Sequence, residues 1–359
     1  MARAHNFSAG PTTLPESVLA ELADEMPEFG NTGMSVVEMS HRGGAYEAIH
    51  HEAIAALRRL SGAPDGFDIL LLQGGASLQF AMVPMNILGE GTAGYVVAGT
   101  WGTKALKDAT KIGDAYSAWS LPKGEMPRNP APSDVEVRDG LTYLHVTSNE
   151  TIGGVRYPSY DGLDARLVGD MSSDLLSRTI PWDQFDLVYG GAQKNLGPAG
   201  VTVVFMRRSL LDRIPESVPG VLRYDTHAKA DSLANTPSVF AIWAMGKTLA
   251  WMEELGGVPV LAERAAKRSG SVYNAIDSSA GFYQCPVHPD YRSQTNVVWR
   301  LPSEELEARF LVEAEAERLL NLKGHRSVGG IRASIYNAMT DEGVATLVDF
   351  MGRFAATNS

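Results

Sequence analysis

The chain has 359 residues, 44% hydrophobic and 20% charged, with a net charge of −11. A chain of this size can bury about two domains' worth of core without disulfide staples. The acidic balance, with no basic cluster, argues against nucleic acid or an anionic membrane as partner and leaves any anionic substrate to a few placed cations. The single cysteine, Cys285, excludes an intrachain disulfide and suits a reducing compartment. Residues 1–11 carry no apolar core of signal-peptide type, and no apolar run nears the roughly 20 residues of a membrane span, so a cytoplasmic protein is expected.

Ile49, Ala53, Leu57 and Leu60 recur at helical spacing and predict a helix over 45–60. The apolar run 68–72 predicts a buried strand, and 78–88 a helix kinked or broken at Pro84. A strand over 95–98 and a helix over 102–112 follow. Residues 122–140, with Pro122, Pro127, Pro130, Pro132, Gly124 and Gly140, read as a surface excursion. Further strands are expected at 141–146, 166–169, 187–189 and 201–206. Such alternation implies an α/β fold, a mostly parallel sheet with helices on both faces and ligands beyond the carboxyl ends of its strands. A long helix over 238–255 stops at Gly256 and Gly257. The pattern then changes to helix 260–276, strand 296–301, helix 304–320, strand 331–336 and helix 341–354. That α+β region suggests a smaller second domain. The expected division is a large domain over 14–255 and a small one made of 1–13 and 256–359.

Two of the apolar runs end in chemically useful residues. Asp170 closes the run 167–169, and Lys194 lies in GGAQKNLGPAG (190–200), just after the run 185–189. Parallel strands would deliver this acid and this amine to one crevice. Pyridoxal phosphate needs that pair: a lysine amine to form a Schiff base with its aldehyde, and a carboxylate to keep its pyridine nitrogen protonated. A strand-end Asp can equally be a helix N-cap, and a lone Lys is usually solvated. Between strand and helix, Gly74 and Gly75 allow backbone N–H groups to approach an anion at a helix N-terminus. No metal cluster stands out, and the adjacent His50 and His51 read as solvent-facing.

Eight segments taken together resemble the phosphoserine aminotransferase family, class V pyridoxal-phosphate enzymes of the aspartate-aminotransferase fold type (fold type I). They are NFSAGPTTLP (6–15), MSHRGGAYE (39–47), LLLQGGASLQFAMVPMN (70–86), TSNETIGG (147–154), LVGDMSSD (167–174), GGAQKNLGPAG (190–200), ANTPSVF (234–240) and GHRSVGGIRASIYNAM (324–339). They run in the family's order along nearly the whole chain. The resemblance implies that Lys194 carries the cofactor and Asp170 faces its ring nitrogen. It implies that Ala76 and Ser77 hold the cofactor phosphate, Trp101 stacks on the ring, and Thr151 and Gln193 complete the cofactor site. Some relatives have Gly-Arg where this chain has Ala76 and Ser77, so here the loop offers no side-chain cation. Asn235 and Thr236 would reach the cofactor phosphate of a neighbouring subunit, making a homodimer with composite sites. Arg332 would bind the substrate's α-carboxylate. His41, Arg42, His325 and Arg326 would surround its phosphate or distal carboxylate, with Arg42 coming from the partner subunit.

The implied reaction moves an amino group from L-glutamate to 3-phosphohydroxypyruvate, giving 2-oxoglutarate and O-phospho-L-serine by ping-pong kinetics. Lys194 would serve as general base and acid, which requires a pKa below the usual 10.4 or so. By the same resemblance, the phosphorylated hydroxythreonine intermediate of vitamin B6 synthesis, accepted by many bacterial relatives, is a second candidate substrate. Rival readings are an alanine– or serine–glyoxylate aminotransferase, a cysteine desulfurase acting through Cys285, and a non-catalytic protein that has kept the fold. No Walker-type or Gly-x-Gly-x-x-Gly motif supports a plain nucleotide-binding protein.

Overall fold

The computed structural model describes residues 3–358. The chain opens with strand β1 (His5–Asn6), helix α1 (Glu16–Glu25) and the long helix α2 (Gly44–Ser61). Strands and helices then alternate through β2 (Phe67–Leu72), α3 (Gly75–Ile87), β3 (Thr92–Val97), α4 (Thr100–Ala109), β4 (Asp114–Ser120) and β5 (Leu141–Thr147). A short hairpin, β6 (Asn149–Glu150) and β7 (Val155–Arg156), precedes β8 (Leu167–Asp170), β9 (Phe185–Gly191) and β10 (Thr202–Arg207). Helices α5 (Tyr224–Lys229), α6 (Val239–Glu254) and α7 (Gly257–Asp277) lead into β11 (Asn296–Trp299), α8 (Glu304–Ala316), β12 (Leu319–Leu320), β13 (Ile331–Ser334) and α9 (Asp341–Asn358).

Seven strands form one sheet in the order β2-β10-β9-β8-β5-β3-β4. Only β10 runs against its neighbours, pairing antiparallel with β2 and β9, so the sheet is mostly parallel as expected. Most of its strand residues are buried because both faces are covered. Alternate residues feed two cores. Ile69, Leu71, Val203 and Phe205 pack with α2 and α6, whereas Leu70, Leu72, Val204 and Met206 pack with α3 and α4. A third core gathers Phe7, the C-terminal part of α7 (Val272, Tyr273, Ile276), β11, β13, α8 and α9. Val258 and Leu261, at the start of α7, belong to the first core. Helix α7 thus packs residues into both cores.

Several elements differ from expectation. Strand β4, one of the two sheet edges, escapes the apolar pattern because exposed Asp114, Ser117 and Ser120 interrupt its buried residues. The helix expected over 304–320 ends at Ala316, since Arg318 takes the left-handed conformation (φ 64°) and the next two residues pair with β1 instead. Helix α3 begins at Gly75, three residues early, and keeps Pro84 inside it. The glycine pair after α6 does end that helix, and Gly256 (φ 102°) opens α7 at once. His50 is fully buried, contrary to expectation: it lies on the inner face of α2, its Nε2 2.8 Å from the Asp231 carbonyl. Among the described residues no helix is long and apolar enough to cross a membrane.

Candidate active site

The carboxyl ends of β2, β3, β5, β8 and β9 share one edge of the sheet, and the polar residues singled out above leave the strands there. After β2 the chain turns through Gly74 (φ 89°) directly into α3. A Cβ at Gly74 would sit 2.4 Å from Leu78 Cδ2, so the turn is closed to other residues on two counts. No side chain caps α3, and its first amides at Gly75, Ala76 and Ser77 are open to an anion.

Asp170 ends β8 and is buried. Its Oδ1 accepts Ser172 N at 3.0 Å and Ser172 Oγ at 2.6 Å, an Asx turn; no helix follows β8, so Asp170 is not a helix N-cap. Burial raises its pKa, opposed by the Lys194 charge and the Ser172 bonds. A buried carboxylate with so little compensation suits a cationic ring nitrogen as partner.

Lys194 follows β9 and is half-buried. Its Nζ donates to Thr151 Oγ1 at 2.6 Å and lies 5.7 Å from the centroid of the Trp101 ring. Its stem runs under the N-terminal loop, where a Cβ at Gly10 would meet Lys194 Cγ at 3.5 Å. Burial lowers the amine's pKa to about 8; Asp170 and Glu150 act against this and Arg332 adds to it. The required depression therefore exists in the chain itself.

Arg332 lies in β13, opposite Val298, and its Nη1 donates to the Thr151 carbonyl at 3.3 Å. His325 hydrogen-bonds Ser327 Oγ through Nδ1 at 2.7 Å. Burial, then the charges of Arg332, Arg326 and Lys104, hold its pKa below the ordinary value. Lys104 also stands 4.5 Å from the Trp101 ring centroid. Among the described residues, none of Lys104, Arg326, Arg332 or Arg42 forms an ion pair with a carboxylate. Cations left unpaired in an acidic chain mark a place for an anion from outside.

Other expected residues stand apart from this group. Asn235 and Thr236 are exposed and lie against the chain's own Gln73: Asn235 Nδ2 donates to Gln73 Oε1, and Gln73 Nε2 to the Thr236 carbonyl, each at 2.8 Å. They therefore border the α3 N-terminus. Gln193 folds back on the end of β9, where a Cβ at Gly191 would touch its Oε1 at 2.4 Å, and its carbonyl accepts Thr12 N. His41 and Arg42 precede α2. Among the described residues no hydrogen bond or ion pair joins their side chains to Lys194, Arg332 or His325, and Arg42 is exposed. Cys285 is half-buried and burial raises its pKa, the opposite of an activated thiol.

Sequence reading missed Glu150, Ser172 and Lys104. Glu150 is fully enclosed, and its carboxylate accepts Gly102 N at 2.8 Å and Trp101 N at 3.1 Å at the start of α4. Burial raises its pKa to about 7, with the two amides and Lys194 opposing and Asp170 adding. The one available signal was its place beside Thr151.

The donor set fits pyridoxal phosphate: an amine of lowered pKa, a buried carboxylate across from it, an indole face beside it and an uncapped helix N-terminus at the same sheet edge. The class-V aminotransferase family model matches residues 4–347. The chain is thus a pyridoxal-phosphate-dependent transaminase of class V. It is 50% identical over 354 residues to the phosphoserine aminotransferase of Niallia circulans, covering 98% of each chain. Its fold is similar to the solved phosphoserine aminotransferase from Bacillus circulans subsp. alkalophilus, with a TM-score of 0.97 and 49% identity over 99% of both chains. It is also similar to the PLP-bound phosphoserine aminotransferase from Trichomonas vaginalis, with a TM-score of 0.94 and 36% identity over 98% of this chain and 100% of that one. Within class V, the chain belongs to the phosphoserine aminotransferase family.

Proposed function

We propose that this chain transfers the amino group of L-glutamate to 3-phosphohydroxypyruvate, giving O-phospho-L-serine and 2-oxoglutarate in L-serine synthesis in the cytoplasm. The observation that carries the reading is the group Arg332, Arg326, His325 and Lys104, without a carboxylate partner, next to the Lys194 amine. A substrate with two anionic ends and a carbonyl between them matches it.

Pyridoxal phosphate, when bound, supplies an aldehyde for the amino group and a ring that accepts electrons. Lys194 holds and moves the proton at the substrate's Cα. A pKa of about 8 leaves a useful fraction of its amine neutral near physiological pH. Thr151 orients that amine from the side. Asp170, steadied by Ser172, holds a proton at the ring nitrogen. The Trp101 indole covers one face of the ring and excludes water from it. The α3 amides at Ala76 and Ser77 take the cofactor phosphate, with Gln193 beside Lys194 completing the cofactor shell. Arg332 takes the α-carboxylate in its planar fork. His325, Arg326 and His41 take the phosphate, together with an Arg42 contributed across the homodimer. Asn235 and Thr236 serve the second site of a homodimer.

Steady-state turnover with glutamate as donor tests the assignment. Phosphohydroxypyruvate should exceed pyruvate and glyoxylate in kcat/KM by roughly a thousandfold or more, because a site built for a second anion is left unmatched by acids lacking it. Equal turnover of glyoxylate would move the assignment to another class V enzyme. The same reading extends to 3-hydroxy-2-oxo-4-phosphooxybutanoate, one carbon longer with the same two anions, and the same assay decides it.

A further inference from the structure

Residues 148–151 form a hub that the expected roles use only at Thr151. Ser148 Oγ donates to the Asp170 carbonyl at 3.1 Å, and Asn149 Nδ2 to Ser173 Oγ and Asn296 Oδ1 at 2.8 Å each. Thr151 receives Lys194 on its hydroxyl and Arg332 on its carbonyl. Glu150 turns its side chain to α4 and takes both Trp101 N and Gly102 N. Gly99 makes room for it: a Cβ there would lie 2.6 Å from Glu150 Cδ. Gly102 lets α4 approach β3, where a Cβ would lie 2.9 Å from the Val96 carbonyl. The charged groups that face Glu150 are Asp170 from β8 and Lys194 from the loop after β9.

A carboxylate is costly to bury, and capping alone does not require one from a distant strand; a Ser or Asp at position 99 would cap α4 locally. Reaching across from β6, Glu150 instead ties the backbone of Trp101 to the dipeptide that places the amine and the carboxylate-binding arginine. We propose that Glu150 is a positioning residue of the site, holding the Trp101 indole at the height of the Lys194 amine. The inference rests on Lys194 being the cofactor lysine.

Full-length Glu150→Gln and Glu150→Asp, freed of cofactor and titrated with pyridoxal phosphate, test it. The amide presents a donor to one of the two N–H groups and lacks the charge. Cofactor binding, read by quenching of protein fluorescence, should weaken about 10- to 100-fold in Glu150→Gln. The circular dichroism of the bound cofactor's visible band should shrink, and Glu150→Asp should recover part of both. Wild-type affinity with an unchanged visible band would overturn the inference, as would a lowered melting temperature with that band intact, the signature of a helix cap alone. If Glu150→Gln does not fold, Gly99→Ala decides, since its methyl displaces the carboxylate while keeping the charge. It should weaken binding similarly, and unchanged binding would overturn the inference. Lys194→Ala, run in parallel, separates the two readings: a band bleached by borohydride in that variant would sink the lysine assignment whatever Glu150 does.

Discussion

Lys194 Nζ donates to Thr151 Oγ1 at 2.6 Å, and the carbonyl of that same threonine accepts Arg332 Nη1 at 3.3 Å. One residue of a short hairpin thus sets the separation between the amine that moves protons and the guanidinium proposed to hold the substrate carboxylate. Positions 151 and 332 come from different bodies of the fold, so this contact also ties the third core to the main sheet.

Thr151→Val removes the hydroxyl and keeps the shape and the carbonyl. Its kcat should fall roughly 10- to 100-fold, the worth of one hydrogen bond to a charged group. KM should change little, because Arg332 is held by the main chain. Steady-state kinetics check this, and an unchanged kcat would contradict it.

Arg332→Lys keeps the charge and loses the planar fork. KM for glutamate and for the keto acid should both rise roughly 10- to 100-fold. Cofactor affinity should stay as in the wild type, which a titration with pyridoxal phosphate measures.

Gly74→Ala places a methyl in a left-handed turn at φ 89° and 2.4 Å from Leu78 Cδ2. Stability should fall by about 1–3 kcal/mol. Cofactor affinity should fall with it, because α3 would no longer present its first amides at the same place. Melting curves with and without cofactor check both parts.

The cofactor-free protein should show opposed pH dependences at two groups. Burial raises the Glu150 carboxyl from 4.5 to about 7, so its contribution to stability is complete below pH 4.5 and is lost as pH rises through about 7. Burial lowers Lys194 from 10.5 to about 8, so its contribution is complete above 10.5 and is lost as pH falls through about 8. Glu150→Gln removes only the first. Urea denaturation at about pH 5 and about pH 8 should find the wild type losing, relative to the variant, on the order of 3 kcal/mol between them. A difference independent of pH would contradict the assigned shift.

The sheet was legible because β2, β5, β8, β9 and β10 are largely buried and each carries a mostly apolar run. Asp170 and Lys194 were legible because strand ends of such a sheet face one crevice. Glu150 was not, since its role depends on amides 48 and 49 positions away and on a glycine, Gly99, that makes space for it. Lys104 was hidden in an ordinary amphipathic helix, where only the packing brings it beside Trp101 and His325. Strand β4 failed the apolar pattern because exposed Asp114, Ser117 and Ser120 break it up.

The central claim is a covalent one, between pyridoxal phosphate and the Lys194 amine. Reducing the cofactor-loaded protein with borohydride and mapping its peptides by mass tests it directly. The account predicts a single pyridoxyl label on Lys194 and none in Lys194→Ala. A label on any other lysine, or none in the wild type, would contradict it.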